Sequence, residues 1–155
     1  MTDQAAIVAT VTKTTFRQEC TVSAVIAATP QKIWRLLTDI DDMVRWNSTL
    51  TSMDGTAELG GTVRMRVPEA PDRVFAVRVS KYIQDREMVW TQGNRVMFLG
   101  VRTYRLTPGS NDTTTFQMTE VFSGLMLPIA AGRLPDFKPI FERYAADLKR
   151  EAEAN

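Results

Sequence analysis

The sequence predicts an α+β domain in which a meander of antiparallel strands is covered on one face by a single long C-terminal helix. Three observations carry this reading. Apolar residues recur with a period of two from Val63 to Ser123, the mark of half-buried strands. Turn-forming clusters punctuate that stretch at hairpin intervals. Phe137, Ile140, Phe141, Tyr144 and Leu148 then recur at helical spacing, with Asp147, Lys149 and Arg150 on the polar side. A lone antiparallel sheet must cover its apolar face, and this helix is the element long enough to do so.

The elements follow in order. Phe16–Ile26, rich in Thr, Val and Ile, reads as a strand. Thr29-Pro30 supplies an N-cap followed by proline at the first helical position. Ile33, Leu36, Leu37 and Ile40 form the stripe of a short helix. Asp39 restarts a second short helix through Trp46, with Asp41 and Asp42 where acids favour a helix N-terminus. Asn47–Leu59 is ambiguous, with a weak strand near Leu50–Asp54, and Gly60-Gly61 is a turn. In the meander, Val63, Met65 and Val67 alternate with Arg64 and Arg66, while Phe75, Val77 and Val79 alternate with Ala76 and Arg78. Pro68–Asp72 reads as a hairpin loop, and Gln84–Arg86 and Gln92–Arg95 read as turns. Val96–Leu106 and Thr113–Ser123 are the last two strands, joined across Pro108–Asp112.

All this fits one domain over residues 16–155, preceded by a flexible tail over 1–15 that is small, polar and Thr-rich, or that extends the first strand. The chain has 155 residues, with 19 Lys+Arg against 18 Asp+Glu. A net charge of +1 leaves no visible electrostatic footprint for nucleic acid or an anionic membrane. Histidine is absent, which excludes His-based triads and His zinc sites. A single cysteine, Cys20, excludes an internal disulfide and a thiolate cage, and it reads as an inert packed thiol. Gly60-Gly61 lacks the following lysine and helix of a phosphate loop. Neither metal nor cofactor is expected. No apolar run is long enough to span a membrane and no signal peptide is recognisable, so the expectation is a cytoplasmic protein.

Several short segments, in order and spacing, resemble the START-like SRPBCC superfamily, in its polyketide cyclase/dehydrase-like branch. They are Ile26–Trp34, Leu37-Thr38-Asp39, Trp46-Asn47, Met88-Val89-Trp90, Leu106-Thr107-Pro108 and Glu120–Gly124, together spanning about Val22–Ala152. The resemblance implies the helix-grip fold: a curved antiparallel sheet of six to seven strands wrapped around a long C-terminal helix, with two short helices after the first strand. It also implies a deep cavity between sheet and helix, which in many such families holds a lipid, a polyketide or another hydrophobic molecule. Pro135 and Pro139 depart from the pattern and leave the start of the C-terminal helix open, because proline is tolerated only in a first turn.

Parity within the strands then selects candidate site residues. Arg102, Tyr104 and Leu106 share one face, and Phe116, Met118, Glu120 and Phe122 share the face that packs. The five-residue turn between the strands allows Arg102 to stand opposite or diagonal to Glu120. The pair reads either as a polar anchor for an oxygen-bearing ligand or as a purely structural ion pair. Glu120, with Tyr104, is the candidate general acid or base of a cyclase or aromatase. Trp34, Met65, Phe75, Val77, Trp90, Phe141 and Tyr144 complete the candidate cavity wall, with ordinary core packing as the plainer account of each. Arg64, Arg66 and Arg78 belong to a solvated outer surface. The apolar connector Gly124–Pro135 either lies across one end of the cavity or forms an early turn of the last helix against the first. Three functions stay open: binding of a small hydrophobic or amphipathic molecule, a cyclase-type enzyme, and a partner-binding domain of chaperone-activator type.

Overall fold

The computed structural model describes residues 7–154. Eight strands, more than the six to seven expected, form one antiparallel sheet: β1 Val8–Lys13, β2 Arg17–Ile26, β3 Ser52–Gly55, β4 Thr62–Val67, β5 Ala70–Ile83, β6 Glu87–Asn94, β7 Phe98–Pro108 and β8 Thr114–Ser123. The helices are α1 Pro30–Thr38, α2 Ile40–Trp46, the four-residue α3 Leu127–Ala130 and α4 Phe137–Glu153. The sheet runs β1-β2-β8-β7-β6-β5-β4-β3. Six of the seven neighbouring strand pairs are consecutive in the chain; the seventh, β2 with β8, brings the two halves of the chain together.

Two differences from the sequence reading have simple causes. Val8–Lys13 is a strand paired with β2 from Val8↔Ser23 to Lys13↔Gln18, so this part of the expected tail is ordered by a backbone ladder that small, Thr-rich residues satisfy well. Residues 1–6 of that tail lie outside the described residues. The loop between β4 and β5 is also shorter than Pro68–Asp72, because pairing resumes at Val67↔Ala70 after a bulge between Met65 and Val67. A second bulge, between Val79 and Lys81, adds to the bending of β5.

The helix starts follow local chemistry. Thr29 Oγ1 accepts from the Lys32 amide at 3.3 Å, with Pro30 first in α1. Asp39 accepts from the Asp42 amide at 3.3 Å and opens α2. Asp136 accepts from the Lys138 amide at 3.2 Å and opens α4. Pro139 then falls in the first turn, where no intrahelical N–H is required of it. Its presence is compatible with a 17-residue helix.

α4 crosses the concave face over β1 and β2, while α1 and α2 reach β7 and β3. Phe141, Tyr144, Ala145 and Leu148 on α4 are buried against the sheet. β8 alternates buried and half-buried along its whole length, the two-sided pattern of a central strand with one covered face. Asp147 ties α4 to the end of α2: it accepts from the Ser48 amide at 2.8 Å and the Ser48 hydroxyl at 2.7 Å, and pairs with Arg150 at 2.9 Å. Among the described residues, no helix is long and apolar enough to cross a membrane.

Candidate functional site

The concave face is built from rows that cross the sheet. Register places Cys20 beside Glu120, Glu120 beside Arg102, and Arg102 beside Trp90. The next row is Val22, Met118, Tyr104 and Met88. Arg102 therefore stands directly opposite Glu120. Its Nε donates to Glu120 Oε2 at 2.7 Å, and its Nη2 donates to the same oxygen. The two side chains are only 18% and 10% exposed. Burial works against the guanidinium charge, but Glu120, Tyr104 and Tyr144 beside it together more than offset that and hold Arg102 more basic than usual. Phe141 of α4 lies beneath the guanidinium, 5.3 Å from its carbon to the ring centroid, a cation–π contact that adds to the anchoring.

Beyond the ion pair, a row of aromatic rings bridges α2, α4 and the sheet. Trp46 meets Tyr144 with centroids 6.1 Å apart, Tyr144 meets Tyr104 at 6.3 Å, and Tyr104 meets Trp90 at 4.9 Å. Phe116 stacks on Tyr144 at 6.3 Å. Burial raises the Tyr104 and Tyr144 phenols above their ordinary range, so both stay protonated near neutrality. Four buried polar atoms in this region make no well-formed hydrogen bond: Trp46 Nε1, Asn47 Nδ2, Trp90 Nε1 and Tyr104 Oη, the last lying beside the Arg102 guanidinium and the Tyr144 hydroxyl. Each can donate, and a buried unmatched donor costs about 1–3 kcal/mol. On the other side of the ion pair, Phe98, Phe122 and Phe137 stack at 5.6 and 5.3 Å and close that end of the interior.

The candidates thus divide. Trp90, Arg102, Tyr104, Phe116, Met118, Glu120, Phe122, Phe141 and Tyr144 gather on the covered face around the pair. Trp34 instead donates through Nε1 to Tyr82 Oη at 3.0 Å and packs edge-on against it. Met65, Phe75 and Val77 sit on β4 and β5, three and two strands from β7, and Phe75 carries the Arg73 guanidinium over its ring. Sequence reasoning weighed Trp46 as a cavity wall but preferred core packing for it, and it passed over Asn47, which no strand parity marks, and Phe98, which lies just past a turn. The interior holds tightly packed side chains where an open cavity was expected: Val22, Phe116, Met118, Phe141 and Leu148 have no exposed surface. A pocket of about 570 Å³ lies elsewhere, at the β4–β6 end, lined by Leu59, Gly60, Thr62, Arg78, Thr91 and Gly93 among others, with no residue of α4 or of the ion pair.

The connector to α4 packs on the β6–β7 hairpin, where an end of an open cavity was expected. Gly124, at φ +121°, turns the chain so that the Leu125 and Met126 amides donate to Val96 and Met97 carbonyls at 3.0 and 2.8 Å. Leu127 is buried beneath. It therefore closes over the β6–β7 hairpin, apart from α1.

This architecture is shared with known proteins. The chain aligns with a START superfamily protein from Mycobacterium smegmatis at 18% identity, covering 87% of this chain and 97% of that one, with a TM-score of 0.65. It aligns with a truncated norcoclaurine synthase from Thalictrum flavum at 11% identity over 99% of both chains, TM-score 0.62, and with a hypothetical protein from Helicobacter pylori at 9% identity over 86% of both, TM-score 0.69. At these identities the likeness shows the fold. No curated protein matches the sequence. A family model described as polyketide cyclase/dehydrase and lipid transport matches residues 17–153; with the helix-grip geometry around Arg102 and Glu120, the chain belongs to that family and has the START-like SRPBCC fold.

Proposed function

We propose that the protein binds a small amphipathic molecule between the concave face of the sheet and α4, with Arg102, Glu120, Tyr104 and Trp90 orienting its polar end. The observation that carries this reading is the cluster of unmatched donors on Trp46, Asn47, Trp90 and Tyr104. A core serving stability alone gains nothing by leaving such groups unmatched, three of them on one aromatic row. A guest bearing oxygen acceptors would satisfy them. Room is made by rearrangement: Met43, Met88 and Met118 border the row, and their unbranched thioethers repack at low cost. Binding is favoured over cyclase chemistry because Glu120 Oε2 is already held by two guanidinium N–H groups, which leaves the carboxylate better suited to fixing Arg102 than to moving a proton.

The test uses anilinonaphthalene sulfonate, an apolar ring system with acceptor oxygens, and Tyr104→Phe. The variant loses an unmatched hydroxyl, so stability in urea should stay level or rise by about 1 kcal/mol. Affinity for the probe should fall about fivefold to tenfold. Absence of saturable probe binding by the wild type, or an unchanged affinity in Tyr104→Phe, would overturn the reading. Native mass spectrometry of the purified protein would then identify any cellular molecule bound there.

A further inference from the structure

We infer that the end of the molecule carrying the connector and the β6–β7 hairpin docks on anionic lipid bilayers. Ten large apolar residues are exposed among the described ones, and five of them meet here: Phe16 at 52%, Val96 at 63%, Met97 at 47%, Leu125 at 61% and Ile129 at 69%. Backbone bonds knit three separate chain segments into this one surface. The Gly124 amide donates to the Phe16 carbonyl at 3.2 Å, Leu125 to Val96 at 3.0 Å and Met126 to Met97 at 2.8 Å. Leu125, in the turn before α3, and Ile129, within it, are both exposed, while Leu127 between them is buried. Contiguous exposed apolar surface of this kind marks an interaction site.

Charge selects the occupant. Arg95 adjoins Val96, and Arg133 and Lys138 follow Ile129; all three are exposed, and none forms an ion pair among the described residues. The acid nearest to Arg133 and Lys138 in sequence, Asp136, is turned to the Lys138 amide as the cap of α4. Apolar side chains with unpaired cations close by in the chain match the boundary between acyl chains and anionic headgroups. A net charge of +1 for the whole chain conceals this local excess. The surface adjoins the Phe98–Phe122–Phe137 stack through Met97 and Gly124, so it lies at the closed end of the proposed binding interior. Docking itself does not depend on that interior being a binding site.

The experiment is co-sedimentation of the full chain with phosphatidylcholine vesicles, with and without phosphatidylglycerol. Wild type should partition onto the phosphatidylglycerol vesicles and be released by salt. Leu125→Asp with Ile129→Asp should abolish binding, and Arg95→Gln and Arg133→Gln should each weaken it about fivefold. Circular dichroism and anilinonaphthalene sulfonate titration of the same variants should match wild type, since all four side chains are exposed. Three results would overturn the inference: no partition of wild type onto either vesicle, partition unaffected by the two Asp substitutions, or a concentration-dependent dimer that those substitutions dissolve in a protein that ignores vesicles.

Discussion

Arg102 and Glu120 answer to each other before they answer to any guest. Both sit on the covered face, and each removes the other's desolvation penalty through two donations to one oxygen. Glu120→Gln keeps the shape but leaves the Arg102 charge uncompensated, so the urea midpoint should fall by the equivalent of about 3 kcal/mol. Arg102→Met combined with Glu120→Leu should recover most of that loss, because apolar replacement of a buried pair is close to neutral. If the double variant is as unstable as the single one, the pair matters through packing and not through charge. The juxtaposition itself was legible in the residues: strand parity and a five-residue turn bring positions 102 and 120 together. Trp46 and Asn47 were not, because helix α2 meets α4 through a tertiary contact that no local period encodes. Nor was the fate of Trp34, whose indole is claimed by Tyr82, 48 residues away.

Elements were easiest to read where their ends carry chemistry. Thr29-Pro30, Asp39 and Gln84–Arg86 mark boundaries that the structure keeps, since each satisfies or redirects particular backbone groups. Strand β1 reads as tail or extension in the sequence because the segment is small, polar and Thr-rich; its burial alternates poorly, so only pairing with β2 makes it a strand, and an edge strand needs little more. The start of α4 was ambiguous because two prolines flank it, and Asp136 decides the matter by capping the helix. Asp136→Ala should therefore destabilise the protein by about 1 kcal/mol, whereas Pro139→Ala should change stability by less than about half that, since residue 139 owes the helix no hydrogen bond. Thermal or urea melts of both distinguish them. A larger loss for Pro139→Ala than for Asp136→Ala would mean that proline, and not the cap, fixes the helix start.

The molecule as a whole is a sheet bent over one long helix, and its interior concentrates groups that resist losing protons. Burial and the neighbouring Glu120 push the Cys20 thiol from its ordinary 9.0 up to about 11. Burial raises the Tyr104 and Tyr144 phenols as well. All three lie on the face covered by α4, on β2, β7 and the helix itself, so exposing them requires the sheet and helix to part. The sign follows from proton counting. Above about pH 9 the unfolded chain releases the Cys20 proton while the folded chain keeps it, so stability falls as pH rises. Near pH 10 the two phenols begin to add to the same slope. The urea midpoint should accordingly be insensitive to these groups below pH 9 and decline through pH 11. In Cys20→Ser the onset of that decline should move up toward pH 10, where the tyrosines take over. Phenolate absorbance followed alongside supplies the independent check: Tyr104 and Tyr144 should ionise together with the loss of secondary structure. Phenolate signal from these two residues in a chain still fully folded would mean that the helix and sheet already admit water between them, and that the interior opens without unfolding.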